Sequence, residues 1–225
     1  QAGATTKEKM LDVVLGLDSP FLSEGRDLLV NEFGKEYGTY FSILQLIAVG
    51  KNTQSEIDSI VGKNTGAYLS NLEKEYSLIT RCRPMFAPAN SRKVRWSIAD
   101  HYLRFWFRFI YPNQMLIEMN RLDLLREIVE KHYEQYSGLV LEQYFREKIT
   151  ADERVTAIGG YWDNKGMNEI DLIALNDLDK TALIAEVKRN PKKIDMKLLA
   201  AKADTLKKEL AGYTLTLKGF SLEDM

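Results

Sequence analysis

The chain has 225 residues, enough for one large or two small domains, and its hydrophobic content of 45% can form substantial cores. A formal net charge of −1 and a pI near 6.3 exclude a globally basic protein, so any nucleic-acid contact must come from local patches. The single cysteine, Cys82, excludes an intramolecular disulfide framework, and with only two histidines beside it we expect no structural zinc site.

Signals for membrane insertion, export and nucleotide binding are missing from the sequence. No run of about 18 apolar residues predicts a membrane span, and no signal peptide precedes Lys7. Three lysines follow a glycine, but none precedes the Ser or Thr of a G-x-x-x-x-G-K-[ST] loop: Lys35, Lys51 and Lys63. We expect a cytoplasmic protein with no membrane partner and, because the chain begins with Gln1, a fragment of a longer protein.

Residues 1–35 are predicted to form an N-terminal helical segment with two short helices, over residues 6–16 and 23–33. Ser23 is a candidate N-cap of the second helix, and Gly16 and Gly34 are candidate helix stops. The short polar stretch between the two helices, residues 17–20, contains a proline and is typical of a turn.

Residues 36–99 have the element order of a winged helix-turn-helix. Apolar residues at helical spacing predict a first helix that ends at Gly50, and a capping box from Thr53 to Glu56 opens a second helix that stops at Gly62. A third helix is predicted over residues 64–76, and strand-like runs follow at 78–84 and 93–98. Three helices and a β-wing predict that the third helix is the recognition helix.

The predicted wing, residues 79–99, carries five basic residues and no acidic one, which suits contacts with phosphates. These candidate nucleic-acid contacts are Arg81, Arg83, Arg92, Lys93 and Arg95. The recognition helix has no net charge, because it carries two lysines and two glutamates. The alternative is a winged helix that serves as a protein-interaction or hinge module.

Residues 100–136 are predicted to be a helical connector rich in aromatic residues. Its first helix carries Tyr102, Phe105, Trp106, Phe107, Phe109 and Tyr111. Such rings can stack on nucleic-acid bases, but aromatic residues at helical spacing are more often core. We therefore predict that these rings lock the two lobes together.

Two apolar strands near the C-terminus contain the candidate site. They are predicted at residues 168–175 and 182–188, joined by a polar turn, and between them they carry Asp171, Glu186 and Lys188. Adjacent antiparallel strands would bring Asp171 beside Glu186, and alternation puts Glu186 and Lys188 on one face. Two carboxylates and an ammonium predict a Mg²⁺ or Mn²⁺ site with a lysine beside it. The alternative is that these charges are solvated strand ends.

The pattern of Asp171, Glu186 and Lys188 resembles the PD-(D/E)xK nuclease core, with Ile170 where the family name has Pro. The resemblance implies a restriction-endonuclease-like domain over residues 137–225 in which an acidic helix residue, here Glu142, completes the catalytic set. Asp171, Glu186 and the Val187 carbonyl would hold the metal, which would activate a water. Lys188 would orient that water and stabilise the developing charge, and Glu142 would tune the site or help to hold a second ion.

A basic helix is predicted to start at Pro191, beside the candidate site. Between residues 188 and 208 there are eight basic and two acidic residues, including Lys192 and Lys193 as candidate nucleic-acid contacts. A solvated helix face is the common explanation, but a polyanion at the candidate site would lie against these lysines. A last strand at residues 213–217 completes the order helix, strand, hairpin, helix, strand, and the fold class is therefore predicted to be α+β.

Taken together, the two lobes resemble the C-terminal part of archaeal-type (DEXX-box) P-loop ATPases, in which a winged helix and a nuclease-like domain follow the ATPase domain. The resemblance rests on residues 40–50, on 71–79, and on 168–171 with 186–188. It implies that ATP binds only in a preceding domain, through which a protein partner or a second copy could assemble.

Three functions remain open from the sequence. The first is a metal-dependent nuclease module acting on nucleic acid, with DNA favoured as the substrate. The second is a non-catalytic nucleic-acid- or protein-binding regulatory arm of an ATPase, and the third is a winged-helix DNA-binding regulator. Metal-dependent cleavage separates the first from the second, and sequence-specific duplex binding would support the third.

Overall fold

A computed structural model describes residues 6–163 and 168–225 and divides the chain into two compact units. The first unit comprises residues up to Arg81 together with Arg95–Lys131. The second comprises Cys82–Val94 and His132–Met225. The chain contains helices together with antiparallel and parallel strand pairs, so the predicted α+β class is confirmed.

The first unit begins with five helices and a two-stranded sheet. The helices are α1 (Thr6–Val14), α2 (Glu24–Phe33), α3 (Tyr37–Ala48), α4 (Gln54–Val61) and α5 (Gly66–Lys74), and the sheet pairs β1 (Ile79–Cys82) with β2 (Arg95–Ile98). The predicted capping box forms at the start of α4, where the Thr53 side chain accepts from the Glu56 amide and the Glu56 carboxylate accepts from the Thr53 amide. Gly62 then ends α4 in the left-handed conformation, at φ 77°.

An aromatic cluster fills the centre of the first unit. It is built around α6 (His101–Phe105) and the π-helical turn Trp106–Ile110, followed by the short helix α7 (Gln114–Glu118). Trp106 and Phe107 are fully buried and make edge-to-face contacts with Phe41 of α3. Rings buried in this way cannot serve as a base-stacking surface. They form part of the core of the first unit, and the prediction that the aromatic segment locks two lobes together stays a prediction.

The second unit contains the long helix α8 (Leu122–Thr150) from His132 onward and a four-stranded sheet. The strands are β3 (Ala157–Trp162), β4 (Glu169–Asn176), β5 (Thr181–Val187) and β6 (Thr214–Phe220), with α9 (Met196–Asp204) between the last two. The sheet order is β3-β4-β5-β6, in which the first two pairs are antiparallel and β5 pairs with β6 in parallel.

Each face of this sheet is covered by one helix. On one face Ile173, Ile184 and their neighbours pack with Leu199 and Ala203 of α9, and we call this the α9-side core. On the other face Leu172, Ala174, Ala185 and Val187 pack with Leu141 and Phe145 of α8, and we call this the α8-side core. Burial on both faces explains why β4 and β5 are apolar almost throughout.

The loop of the predicted wing, residues 83–94, belongs to the second unit. The Met85 amide donates to the Gly160 carbonyl of β3 at 2.8 Å, and Met85 and Phe86 pack against the α9-side core. A methyl group on Gly159 would lie 3.0 Å from the Met85 side chain, so the glycine makes room for it. This loop therefore covers part of the edge strand β3.

Candidate active site

A β-bulge in β4 sets the position of Asp171. Gly159 pairs with Ile173 while Tyr161 pairs with Ile170, so Asp171 and Leu172 together lie opposite the single residue Gly160. Regular alternation from Ile173 would direct Asp171 into the apolar α9-side core, but the extra residue lets Ile170 take that place. The bulge thus keeps a carboxylate out of an apolar core.

The Asp171 carboxylate lies where β4 and β5 stop pairing. Their register ends at Leu172 and Ala185, and beyond it the Val187 amide donates to Asp171 Oδ2 at 2.8 Å. The carboxylate thus takes the hydrogen bond that the β4 main chain no longer accepts. The same oxygen lies 3.2 Å from the Lys188 ammonium.

Glu186 is a buried carboxylate with partners from three directions. Its Oε1 lies 3.4 Å from Lys188 Nζ and 3.9 Å from the Lys202 Nζ of α9. Its Oε2 accepts from the Asp195 amide at 3.2 Å, and Asp195 is the N-cap of α9. The start of α9 and its Lys202 therefore fix this carboxylate.

Lys188 joins the two carboxylates. Its side chain is 36% exposed, against 15% for Asp171 and 9% for Glu186, so the ammonium closes the site on the solvent side. Partial burial alone would lower the pKa of Lys188, but the neighbouring Asp171 and Glu186 outweigh it and raise that pKa. The ammonium is consequently charged throughout the physiological range.

Glu142 approaches from α8 and remains outside this ion-pair cluster. Burial, reinforced by the negative charge of Asp171, raises the pKa of Glu142 to about 8 against the opposing effects of Lys188 and Arg146. Its carboxyl is therefore largely protonated at neutral pH. The family resemblance predicted Glu142 as the acidic helix residue of the site, and the charges of Asp171 and Lys188 both act on its carboxyl.

Three residues of the site carried no motif in the sequence: Arg146, Asp195 and Lys202. Arg146 Nη2 donates to the Asp171 main-chain carbonyl at 3.1 Å. A signal for Arg146 did exist, because it lies four residues after Glu142 and so shares its helix face. Asp195 had the signature of an N-cap before a helix, whereas nothing distinguished Lys202 from the other lysines of α9.

The donor set suits a hard divalent cation that keeps most of its water. Asp171 and Glu186 offer carboxylate oxygens, which Mg²⁺ and Mn²⁺ prefer, and Mg²⁺ commonly binds through one or two carboxylates with water completing the shell. Within residues 6–163 and 168–225 no three His, Cys, Asp or Glu side chains are arranged to enclose a metal. Any cation would therefore share this site with Lys188, whose ammonium lies between the carboxylates.

The basic residues predicted to contact nucleic acid differ in their environment. Arg81 forms an ion pair with Glu73 at 2.7 Å and stacks on Trp96, so its charge is balanced within the first unit. Arg95 is half-buried on β2. The other five lie in the second unit and are exposed: Arg83, Arg92, Lys93, Lys192 and Lys193.

Polar side chains of the predicted recognition helix are bonded within the first unit. Tyr68 donates to the Glu36 carboxylate at 2.9 Å, and Asn71 donates to the Tyr40 hydroxyl at 3.1 Å. The Asn64 side chain accepts from the Gly66 amide at 2.9 Å. Reading base edges would require breaking these bonds, which weakens the case for sequence-specific recognition by α5.

Comparison with known proteins finds a family model that matches part of the chain and a similar archaeal protein. Residues 106–199 match the family model DUF234, described as archaea bacterial proteins of unknown function. An uncharacterized protein of Methanocaldococcus jannaschii is 37% identical over 177 residues, which cover 75% of this chain and 39% of that protein. The chain thus spans about two fifths of the length of this relative. No solved structure matches the chain.

The matched family region includes α8 with Glu142 and Arg146, together with β4 and β5 with their three charged residues. It ends inside α9, before Lys202. Among the residues that the structure describes, no helix has the length and apolar character needed to cross a bilayer.

Proposed function

We propose that the second unit is a metal-dependent nuclease module that acts on the phosphodiester bonds of nucleic acid. The observation that carries the proposal is the meeting of Asp171, Glu186 and Lys188 at the diverging ends of β4 and β5. An aspartate, a glutamate and a lysine two residues after it are the residue types that the PD-(D/E)xK resemblance implies for catalysis.

The topology of the second unit supports the same proposal. The order α8, β3, β4, β5, α9, β6, with one parallel pair at the end of an otherwise antiparallel sheet, is the order expected from the resemblance. Fold alone does not establish an activity. The site residues must therefore account for the chemistry.

Asp171, Glu186 and the Val187 carbonyl would hold a Mg²⁺ or Mn²⁺ ion. The N–H and C=O of one strand residue point to the same strand edge, and the Val187 amide points to Asp171. Its carbonyl therefore faces the site too. When bound, the ion would supply Lewis acidity and lower the pKa of a coordinated water.

Lys188 would act on the substrate once a cation balances the carboxylates. Its ammonium has an exposed route to solvent, so it can leave the carboxylates and donate to a phosphate oxygen or to the attacking water. Glu142, with its raised pKa, would carry a proton on its carboxyl at neutral pH and could release it as positive charge accumulates nearby.

The substrate class follows from the local charge of the second unit. Five exposed basic residues that were predicted to contact nucleic acid lie in the 83–94 loop and in the turn after Pro191, while the chain as a whole is near neutral. Local basic patches of this kind bind the phosphate backbone without regard to sequence. We propose a nucleic acid, with DNA favoured, as the partner of this surface.

A second candidate is a non-catalytic binding module. It is favoured by the observation that Lys188 and Lys202 already balance the two carboxylates, so the site is electrostatically complete without a metal. In either case the relative is more than twice as long as the matched stretch, which is consistent with a further domain in which ATP would bind. A protein partner or a second copy would assemble through that domain.

Cleavage assays with matched variants test the proposal. Asp171→Asn and Glu186→Gln should abolish cleavage of duplex, single-stranded and branched substrates in Mg²⁺ or Mn²⁺, because each removes an oxygen ligand. Asp204→Asn should leave cleavage intact, since Asp204 is exposed and pairs with the exposed Lys207 at 3.2 Å. If the wild-type protein binds Mn²⁺ without cleaving the substrates, or neither binds Mn²⁺ nor cleaves, the binding module would remain as the function.

A further inference from the structure

The bulge at Asp171 is held by a side chain from the helix that covers it. Arg146 Nη2 donates to the Asp171 carbonyl at 3.1 Å, at the point where the bulge interrupts the pairing of β3 and β4. The bond reaches the main chain, so it acts on where the backbone of Asp171 lies. The Asp171 carboxylate is carried by that backbone.

Gly160 lies opposite the bulge and beside the Arg146 contact. A Cβ atom on Gly160 would lie 3.4 Å from the carbonyl oxygens of Ile170 and Asp171 and 3.6 Å from Arg146 Nη2, which are ordinary van der Waals distances. Strand β3 therefore packs directly against the bulge and the guanidinium that binds it.

Burying the Arg146 guanidinium costs free energy, which its other contacts must offset. Its Nε is buried, and within residues 6–163 and 168–225 it has no hydrogen-bond partner. Buried unpaired donors are rare in folded proteins because they lose their bonds to water. Because the guanidinium stays buried despite this cost, the Nη2 bond to the bulge is one of the contacts that stabilise it there.

We propose that Arg146 is a positioning residue, which fixes the β4 bulge and thereby keeps the Asp171 carboxylate on the Val187 amide and on Lys188. Its effect on the position of Asp171 is independent of what the site does. Only the consequence for metal binding rests on the proposed nuclease function. Without Arg146, the bulge loses a main-chain bond and Asp171 can move away from Val187.

The Val187 amide reports this position without any metal. It donates to Asp171 Oδ2, beyond the last β4–β5 pair, so its hydrogen exchange measures how well the carboxylate stays in place. In Arg146→Met, Val187 exchange should accelerate about tenfold, the effect of losing one hydrogen bond. The Ile184 amide, inside the ladder, should not change. Arg146→Lys keeps a donor and should restore part of the protection.

Arg146→Lys provides the second test if Arg146→Met does not fold, because it keeps the charge and a donor but should restore only part of the protection of the Val187 amide. Arg154→Met is the matched arginine control, because Arg154 is 79% exposed and lies 3.8 Å from Asp179. Unchanged Val187 exchange in Arg146→Met, or in Arg146→Lys where Arg146→Met does not fold, would overturn the proposal.

Mn²⁺ titration of the same variants separates this inference from the proposed function. If the site binds metal, Arg146→Met should weaken Mn²⁺ affinity about 10–100-fold, as loss of residues that orient metal ligands commonly does. A wild-type protein that binds no Mn²⁺ would refute the metal site, and the Val187 amide would still decide the role of Arg146. An unchanged Val187 amide would refute positioning whatever happens to Mn²⁺ affinity, and stronger Mn²⁺ binding with an unchanged amide would leave only the direct effect of removing a positive charge.

Discussion

Replacing Lys188 by Met should destabilise the second unit and create a site that Mg²⁺ can fill. The substitution removes the ammonium that lies 3.2 Å from Asp171 and 3.4 Å from Glu186. Both carboxylates keep other partners, since Asp171 accepts from the Val187 amide and Glu186 lies 3.9 Å from Lys202. They nevertheless face each other with one cation fewer.

The size of the loss lies between two limits. Removing one partner of a fully buried pair costs about 3–5 kcal/mol, and removing an exposed one costs about 1 kcal/mol or less. The carboxylates are largely buried but Lys188 is 36% exposed, so we expect a loss of about 1–3 kcal/mol. Mg²⁺ at a hundred times its dissociation constant would restore about 2.7 kcal/mol.

Urea unfolding with and without Mg²⁺ measures both effects. Lys188→Met should gain more from Mg²⁺ than the wild-type protein, and adding Asp171→Asn should recover stability in the absence of Mg²⁺ while abolishing the response to it. Lys207→Met is the control, because Lys207 is 71% exposed beside Asp204. If Lys188→Met lost no more stability than this control and ignored Mg²⁺, the electrostatic account of the site would be wrong.

Two further predictions concern pH and salt. The pKa of Glu142 is raised to about 8 in the folded chain, so the protonated carboxyl stabilises the fold fully below the ordinary pKa of a glutamate, and this contribution is lost as pH rises to about 8. Glu142→Gln should therefore flatten the fall in melting temperature between pH 5 and 8. An unchanged slope would place the pH dependence elsewhere. Replacing exposed Arg92 and Lys93 by Gln should weaken nucleic-acid binding and reduce the slope of log affinity against log salt by about 0.9 for each phosphate that is no longer neutralised. Replacing Lys207 and Lys208 by Gln should change neither the affinity nor the slope. Equal slopes in the two double variants would mean that the binding surface lies elsewhere.

Local signals in the sequence predicted local features of the fold well. The capping box at Thr53 and the glycine stop at Gly62 are fixed by neighbours in the chain, and both form as expected. Apolar runs bounded by turn residues also located β4, β5 and the turn between them. Each of these features depends on residues within a few positions of one another.

The loop at residues 83–94 shows what such signals miss. Its polar and basic character predicted the tip of a wing, but Met85 and Phe86 are large apolar residues that pack against the α9-side core. Two such residues within a polar loop were a visible sign of burial. Their partner could not be predicted, because Gly160 is 75 positions away and the contact depends on the tertiary fold.

The bulge at Asp171 could not be found from the sequence at all. Residues 172–175 are apolar without a break because both faces of β4 are covered, so no alternation remained to show that the parity changes at Asp171. Strand pairing alone predicted that Asp171 and Glu186 would be neighbours. It did not predict that Asp171 reaches past the end of the ladder to the Val187 amide, or that Arg146 holds the backbone there.

This difference bears on how the candidate site is built. The family resemblance selects Asp171, Glu186, Lys188 and Glu142 by their types and order, and any chain with those residues would match. What makes the site specific here is the set of bonds around it: a main-chain bond from Arg146, an amide from Val187 and a helix start at Asp195. Carboxylates fixed by main-chain amides and a helix terminus stay in place when Lys188 moves, whereas carboxylates held only by Lys188 would not. The two acids therefore have anchors that do not depend on Lys188, which is the division of roles that the proposed metal-assisted phosphodiester cleavage would use.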